Sequence, residues 1–162
     1  ILLDSAGGRA TLADFGIART AARTVLSTVA TAAGTPQYMA PEQFEGAPLT
    51  AAVDAWAFGV VLWECATGRA PYAGPGSGTA PLCPMQLLYA VLVAGKRLSP
   101  PARLPPPLAV LMAACWATDP AARPSMAAAA DVLRGELARV GAGRAAATAA
   151  RAKGLGGWGG GV

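Results

Sequence analysis

The stretch from Thr50 to Gly68, TAAVDAWAFGVVLWECATG, is apolar on almost every face of a helix. Val53, Trp56, Val60 and Trp63 recur at helical spacing, and Phe58, Val61, Leu62 and Cys65 occupy the other faces. A helix apolar nearly all round lies in the centre of a domain or crosses a membrane. Its apolar run is confined between Asp54 and Glu64, far short of the roughly 20 residues that spanning requires. The pattern therefore predicts a buried central helix over 50–67, with Thr50 capping its first turn and Gly68 ending it in a left-handed conformation. Asp54 and Glu64 then pose a demand, because a buried carboxylate needs hydrogen-bond donors or a charge partner. For Asp54 that partner must come from outside the helix, whereas Glu64 reads as a polar helix end.

The flanking patterns are shorter. Ile1-Leu2-Leu3-Asp4 and Arg9 to Ala13 predict two strands joined through a turn at Ser5-Ala6-Gly7-Gly8, a small amino-terminal hairpin. From Ile17 to Gly34 no period is visible, and hydroxyls are scattered through Thr20, Thr24, Ser27, Thr28 and Thr31. Pro36 and Gly34 preclude a regular helix until Pro41, which suits a first helical position, so a short helix is expected over Pro41 to Phe44. Residues 70–84 form a Pro-, Gly- and Ser-rich loop. Met85, Leu88, Tyr89, Val91 and Leu92 predict an amphipathic helix that stops at Gly95, before a proline-dense connector from Lys96 to Pro107. Leu108, Leu111, Met112 and Cys115 share one face of the next helix, which ends at Trp116. Ser125 caps a last helix with the stripe Met126, Ala130, Leu133, Leu137 and Val140. Gly141 to Val162 is rich in Ala, Gly and Arg and is expected to be a disordered tail. The fold class is mainly α, with a body over 1–140 and a tail over 141–162.

Charge and cysteine content narrow the function. The net charge of +4 comes entirely from Arg139, Arg144, Arg151 and Lys153, because nine Lys/Arg balance nine Asp/Glu up to Ala138. The basic excess belongs to the tail, so no nucleic-acid partner is expected for the body. There is no histidine, and Cys65, Cys83 and Cys115 are widely spaced without a C-x-x-C pair. These facts exclude the usual zinc patterns and any His-based triad. Cys65 and Cys115 read as small hydrophobes in apolar helices. An odd, frameless cysteine count suits a reducing, cytoplasmic setting. No stretch has the pattern of a signal peptide or membrane span.

Five motifs then follow one another in a specific order. Asp14-Phe15-Gly16 comes directly after the predicted hairpin, and Gly34-Thr35-Pro36-Gln37-Tyr38-Met39-Ala40-Pro41-Glu42 follows the loop of hydroxyls. Asp54-x-Trp56-x-Phe58-Gly59 lies in the central helix, with Trp63-Glu64 and Gly68-x-x-Pro71-Tyr72 after it. Cys115-Trp116-x-x-Asp119-Pro120-x-x-Arg123-Pro124-Ser125 completes the set. From Ile1 to about Val140 the chain resembles the C-terminal lobe of a eukaryotic protein kinase. The Gly34 to Glu42 motif is of the serine/threonine type, and the late Cys-Trp-x-x-Asp-Pro-x-x-Arg-Pro is shared with tyrosine kinases. The combination points to the tyrosine-kinase-like branch of serine/threonine kinases.

The resemblance implies roles for individual residues. Asp14 would hold Mg²⁺ against the phosphates of ATP, since a hard cation takes carboxylate oxygen. Phe15 would pack beneath the nucleotide, and Gly16 would give the backbone freedom to switch. Thr28 or Thr31, and less so Thr24 or Ser27, would take the activating phosphate from an upstream kinase or by autophosphorylation in trans. Thr35 would help present the hydroxyl of a protein substrate. Glu42 and Arg123 would form a buried ion pair, and Asp54 would receive backbone donors from the catalytic loop. Trp56 and Gly59 belong to the structural core of the motif.

The glycine-rich loop, the paired lysine and the catalytic aspartate with its asparagine do not occur in this sequence, so no catalytic residue is assigned to it. The upper lobe is likewise absent. The resemblance places the missing asparagine immediately before Ile1, as in a fragment of a longer protein, and the isolated chain is expected to be inactive and poorly soluble. Two further readings stay open, a pseudokinase or scaffold that acts by binding proteins, and a product that does not fold stably.

Overall fold

The computed structural model describes residues 1–4, 8–15, 35–45, 49–73 and 82–155, with side chains described up to 148. Strands β1 (Leu2–Leu3) and β2 (Ala10–Thr11) pair antiparallel, with Leu2 opposite Thr11 and Leu3 opposite Ala10. Asp4 closes the turn twice: its N–H donates to the Arg9 carbonyl at 3.0 Å, and its Oδ1 accepts the Gly8 N–H at 2.8 Å. Among the described residues, everything after the hairpin is helical or irregular. A 3₁₀ turn (Pro36–Tyr38) leads to α1 (Glu42–Glu45), where Gln43 Oε1 accepts the Ala40 N–H at 2.8 Å.

The central helix α2 (Ala52–Thr67) ends where its sequence says it must, with Gly68 at φ 64° returning its N–H to the Glu64 carbonyl. At the other end Ala51 takes the capping position without a side-chain bond, and Thr50 Oγ1 accepts only the Ala52 N–H at 3.3 Å. Ala55, Trp56, Gly59 and Val60 are buried, so α2 is central on one broad face. Asp54 is exposed, contrary to expectation, and among the described residues nothing donates to its carboxylate. Cys65 is also exposed, on the last turn, and does not serve as a core hydrophobe.

The helix from Pro84 departs from its expected stripe. α3 (Pro84–Leu88) runs into a π-helical turn (Tyr89–Val93), and Gly95 ends the element at φ 60°. Leu87 and Val91 are the buried positions, while Met85 and Tyr89 face outward. α4 (Pro106–Cys115) buries Leu111, Met112 and Cys115 as its pattern predicts, with Trp116 beside them. Its close approach to α2 depends on Gly59: an added Cβ there would lie 2.6 Å from Cys115 Cβ and 2.8 Å from Trp116 Nε1.

A second 3₁₀ turn (Pro120–Ala122) opens with Asp119 Oδ1 accepting the Ala121 N–H at 2.9 Å. The last helix, α5 (Met126–Leu155), starts with Ser125 Oγ accepting the Ala128 N–H at 3.2 Å. It touches the body through Ala129, with Val132 packed against the core, while Met126, Leu137 and Val140 are exposed. The contact is thus made by Ala129 and Val132, which lie beside the expected stripe and not on it. Residues 141–155, expected to be disordered, continue this helix. Alanine is the strongest helix former, and twelve residues of this stretch are not glycine. No helix among the described residues is long and apolar enough to cross a membrane.

Candidate functional site

Two groups of residues matter, one at the end of the hairpin and one at the centre of the lobe. In the first, Asp14 takes a left-handed backbone, φ 67°, which a short polar side chain tolerates better than most. Such a conformation for a non-glycine residue is concentrated at functional positions. Asp14 is exposed, and Phe15 is 68% exposed, so Phe15 does not join the core formed by the described residues. Ile1, Leu2, Leu3 and Leu12 are exposed around it, making the hairpin an apolar surface. Gly16, Thr24, Ser27, Thr28 and Thr31 lie outside the described residues.

The second group is built on Arg123. Its Nη1 donates to Glu42 Oε1 at 2.6 Å and its Nη2 to Oε2 at 2.8 Å, a two-pronged pair with both side chains buried. Nη1 also reaches the Ala52 carbonyl at 3.0 Å, and Nε the Ala117 carbonyl at 3.0 Å. One guanidinium therefore joins α1, the start of α2 and the loop after α4. Proline at 41 and at 124 flanks the two partners and fixes the local backbone, which lets each side chain arrive in one direction.

Trp56 forms the floor of this clamp. Arg123 sits 5.0 Å from the indole centroid and Arg97 4.8 Å from it. Arg97 had no signal in the sequence, standing in a connector beside an ordinary lysine. Its Nε donates to the Trp116 carbonyl at 3.1 Å and Nη1 to the Val91 carbonyl at 3.0 Å. Burial pulls its guanidinium below the usual arginine range; Tyr72 opposes that shift and the charge of Arg123 adds to it. Carbonyl acceptors and an indole face are what hold a cation in such a place. Behind it, burial pushes the Cys115 thiol up to about 11, so this cysteine stays a neutral hydrophobe.

Glu64, read from sequence as a polar helix end, has a partner after all: the Tyr38 hydroxyl donates to its Oε2 at 2.7 Å. This bond ties the segment carrying Thr35 to the last turn of α2. Only the hydroxyl of Tyr38 within the Gly34 to Glu42 motif hinted at it. Tyr38→Phe is expected to lower stability by about 1 kcal/mol, read as a shift in the urea midpoint. Thr35 itself is exposed at the start of the 3₁₀ turn, where its carbonyl accepts the Tyr38 N–H at 3.0 Å.

Two phenols make the lobe sensitive to alkali. Burial, and then the Glu64 carboxylate, push Tyr38 up to about 12, and burial does the same to Tyr72 against the opposing charge of Arg97. Raised folded values mean that the unfolded chain loses these protons first. The stabilisation is full below pH 10.0, the ordinary value, and is lost as pH climbs towards about 12. Thermal midpoints should fall across that window, and Tyr72→Phe should flatten part of the fall.

A cavity of about 240 Å³ lies between Glu45 of α1, Leu92 of the π turn, Arg97 and Thr118. None of its lining residues comes from the hairpin, so it is separate from Asp14. Among the described residues no three His, Cys, Asp or Glu cluster as a metal site. Asp14 alone would supply one hard oxygen.

A mainly helical lobe, opened by a hairpin that ends in Asp-Phe-Gly and closed by a buried Glu–Arg clamp, is the class that geometry defines. Residues 1–133 match the family described as protein tyrosine and serine/threonine kinase, and the chain belongs to that family. It is 41% identical over 121 residues to the serine/threonine-protein kinase CTR1 of Arabidopsis thaliana, covering 75% of this chain and 14% of that protein. It is 40% identical over 116 residues to human mitogen-activated protein kinase kinase kinase 11, covering 72% and 12% respectively. Against serine/threonine-protein kinase PkaA of Streptomyces coelicolor it is 39% identical over 127 residues, covering 77% and 22%. The chain thus spans less than a quarter of the length of these relatives. They are serine/threonine kinases, as the motif combination predicts, and CTR1 and the human kinase belong to its tyrosine-kinase-like branch.

Proposed function

We propose that this chain is the lower part of a protein serine/threonine kinase, which as a whole transfers the γ-phosphoryl group of ATP to hydroxyls of protein substrates. The observation that carries the reading is the Glu42–Arg123 pair, which fastens the Thr35 segment to the helical body at 2.6 and 2.8 Å. Phosphoryl transfer depends on positioning and electrostatics more than on covalent chemistry. A platform locked to a buried helix supplies the positioning, with the Tyr38–Glu64 bond as a second tether.

Asp14 is the residue of this chain that would hold Mg²⁺, with phosphate oxygens, water and residues outside the chain completing the shell. When bound, the metal neutralises charge that develops on the transferred group. The lobe body over 1–140 would then serve catalysis only together with the glycine-rich loop, the lysine and the catalytic aspartate, and the isolated chain would be inactive. Thr28 or Thr31 would be the regulatory phosphate acceptor. A cytoplasmic setting follows from the same reading.

The test is phosphate transfer by the full-length protein to protein acceptors, followed by identification of the phosphorylated residue. Phosphoserine or phosphothreonine is expected, with transfer reduced at least about 100-fold by Asp14→Asn. Undiminished transfer by that variant would remove Asp14 from the metal site. The second reading is a pseudokinase or scaffold that acts by binding proteins. A full-length protein that folds, lacks transfer and still binds partners would establish that alternative.

A further inference from the structure

The element from Pro84 to Val93 buries Leu87 and Val91 and leaves a second apolar row facing outward. Met85, Tyr89 and Val93 are 70%, 63% and 69% exposed. The π turn explains why they form one row. Four α-helical residues overshoot a full turn by about 40°. The wider π turn undershoots it, so the second step reverses the drift of the first. Isolated π turns in a helix are frequent at functional positions. Three large apolar side chains in line, none of them supporting the core, need another account than folding.

The charge around the row is one-sided. Between Glu64 and Asp119 the chain has no acidic residue, but it has Arg69, Lys96, Arg97 and Arg103. Arg97 is turned inward onto Trp56, whereas Lys96 and Arg103 are exposed. Lys96 directly follows the Gly95 stop at the Val93 end of the row, its N–H bonded to the Ala90 carbonyl at 2.7 Å. Glu42 and Glu45 line the cavity on the side of Val91 and Leu92, and none of Met85, Tyr89 and Val93 lines it. Glu42 is already neutralised by Arg123.

We infer that the outward face of residues 84–93, with Lys96 at its end, is a docking surface for an acidic segment of a partner protein that carries apolar anchors. Met85, Tyr89 and Val93 supply the apolar contact, with Tyr89 as the large rigid anchor. Lys96 selects for carboxylates by charge complementarity, which sets association rate and specificity. The site is independent of phosphate transfer and of Asp14.

The test uses the whole 162-residue chain as bait for a random peptide library displayed on phage, with enriched peptides then synthesised and titrated. Peptides rich in Asp and Glu around two or more apolar residues are expected. Their affinity should fall at least tenfold with Tyr89→Ser/Val93→Ser and severalfold with Lys96→Glu, and it should weaken with added salt. All three positions are exposed, and circular dichroism of the variants would show the same helix content as wild type. Failure of any peptide to enrich, enrichment of basic or uncharged peptides, or affinities unchanged by Tyr89→Ser/Val93→Ser would overturn the inference. So would sedimentation showing a dimer that Tyr89→Ser/Val93→Ser dissolves, since the occupant would then be a second copy of this chain. Binding to phosphatidylserine vesicles that the acidic peptides do not displace would equally refute it.

Discussion

Arg123→Ala is expected to destabilise the lobe by about 3–5 kcal/mol, a large share of the roughly 5–15 kcal/mol that holds a domain together. The loss comes mainly from what is left behind. Glu42 would remain a buried carboxylate with its two donors gone, and the carbonyls of Ala52 and Ala117 would lose theirs. The indole of Trp56 would also lose one of its two cations. Urea unfolding followed by tryptophan fluorescence measures this, because Trp56 and Trp116 lie in the affected core. Arg123→Lys should be nearly as damaging, since an ammonium cannot span both carboxylate oxygens and two carbonyls. Replacing both partners, Arg123→Met with Glu42→Leu, should recover much of the loss, because no charge is then stranded. Removing the exposed Asp131–Arg134 pair should leave the midpoint unchanged. An Arg123→Ala lobe that unfolds at the wild-type urea concentration would contradict the clamp.

Gly59→Ala should also be destabilising, by about 1–3 kcal/mol, and Gly59→Val by more. The result runs against helix propensity, which favours alanine over glycine by about 1 kcal/mol. Here the clash outweighs it. The new Cβ would meet Cys115 Cβ at 2.6 Å and the Trp116 indole at 2.8 Å, and both atoms belong to buried residues at the end of α4. Relief requires α2 and α4 to separate, which opens the core around Trp56 and Met112. Gly135 in α5 is the matched control, because nothing lies within 4 Å of a Cβ built there. Gly135→Ala should therefore raise stability where Gly59→Ala lowers it. Thermal midpoints of the two variants, moving in opposite directions, would establish that packing and not propensity governs α2.

The central helix, the hairpin, the capping by Ser125 and the stops at Gly68 and Gly95 were legible in the sequence, because each rests on neighbouring residues. The motif series identified the family on the same grounds. The amphipathic pattern through Met85, Leu88, Tyr89, Val91 and Leu92 does not mark the buried face, because a five-residue α-helix followed by a π turn has no single period. The stripe through Leu137 and Val140 was likewise misread: amphipathic spacing says which residues share a face, not whether anything covers that face. Asp54 was expected to find backbone donors, yet it stands exposed; the residues expected to donate do not belong to this sequence.

Residue type and spacing alone established that the chain is mostly helical, that one helix is apolar nearly all round, and that a kinase motif set runs through it. Tertiary structure alone decided which charges meet. Arg97 reaches Trp56 across 41 positions of sequence, Tyr38 reaches Glu64 across 26 and Arg123 reaches Glu42 across 81. Local propensity acts within a few residues, whereas such contacts exist only once packed helices bring distant side chains together and exclude the water that would otherwise screen them.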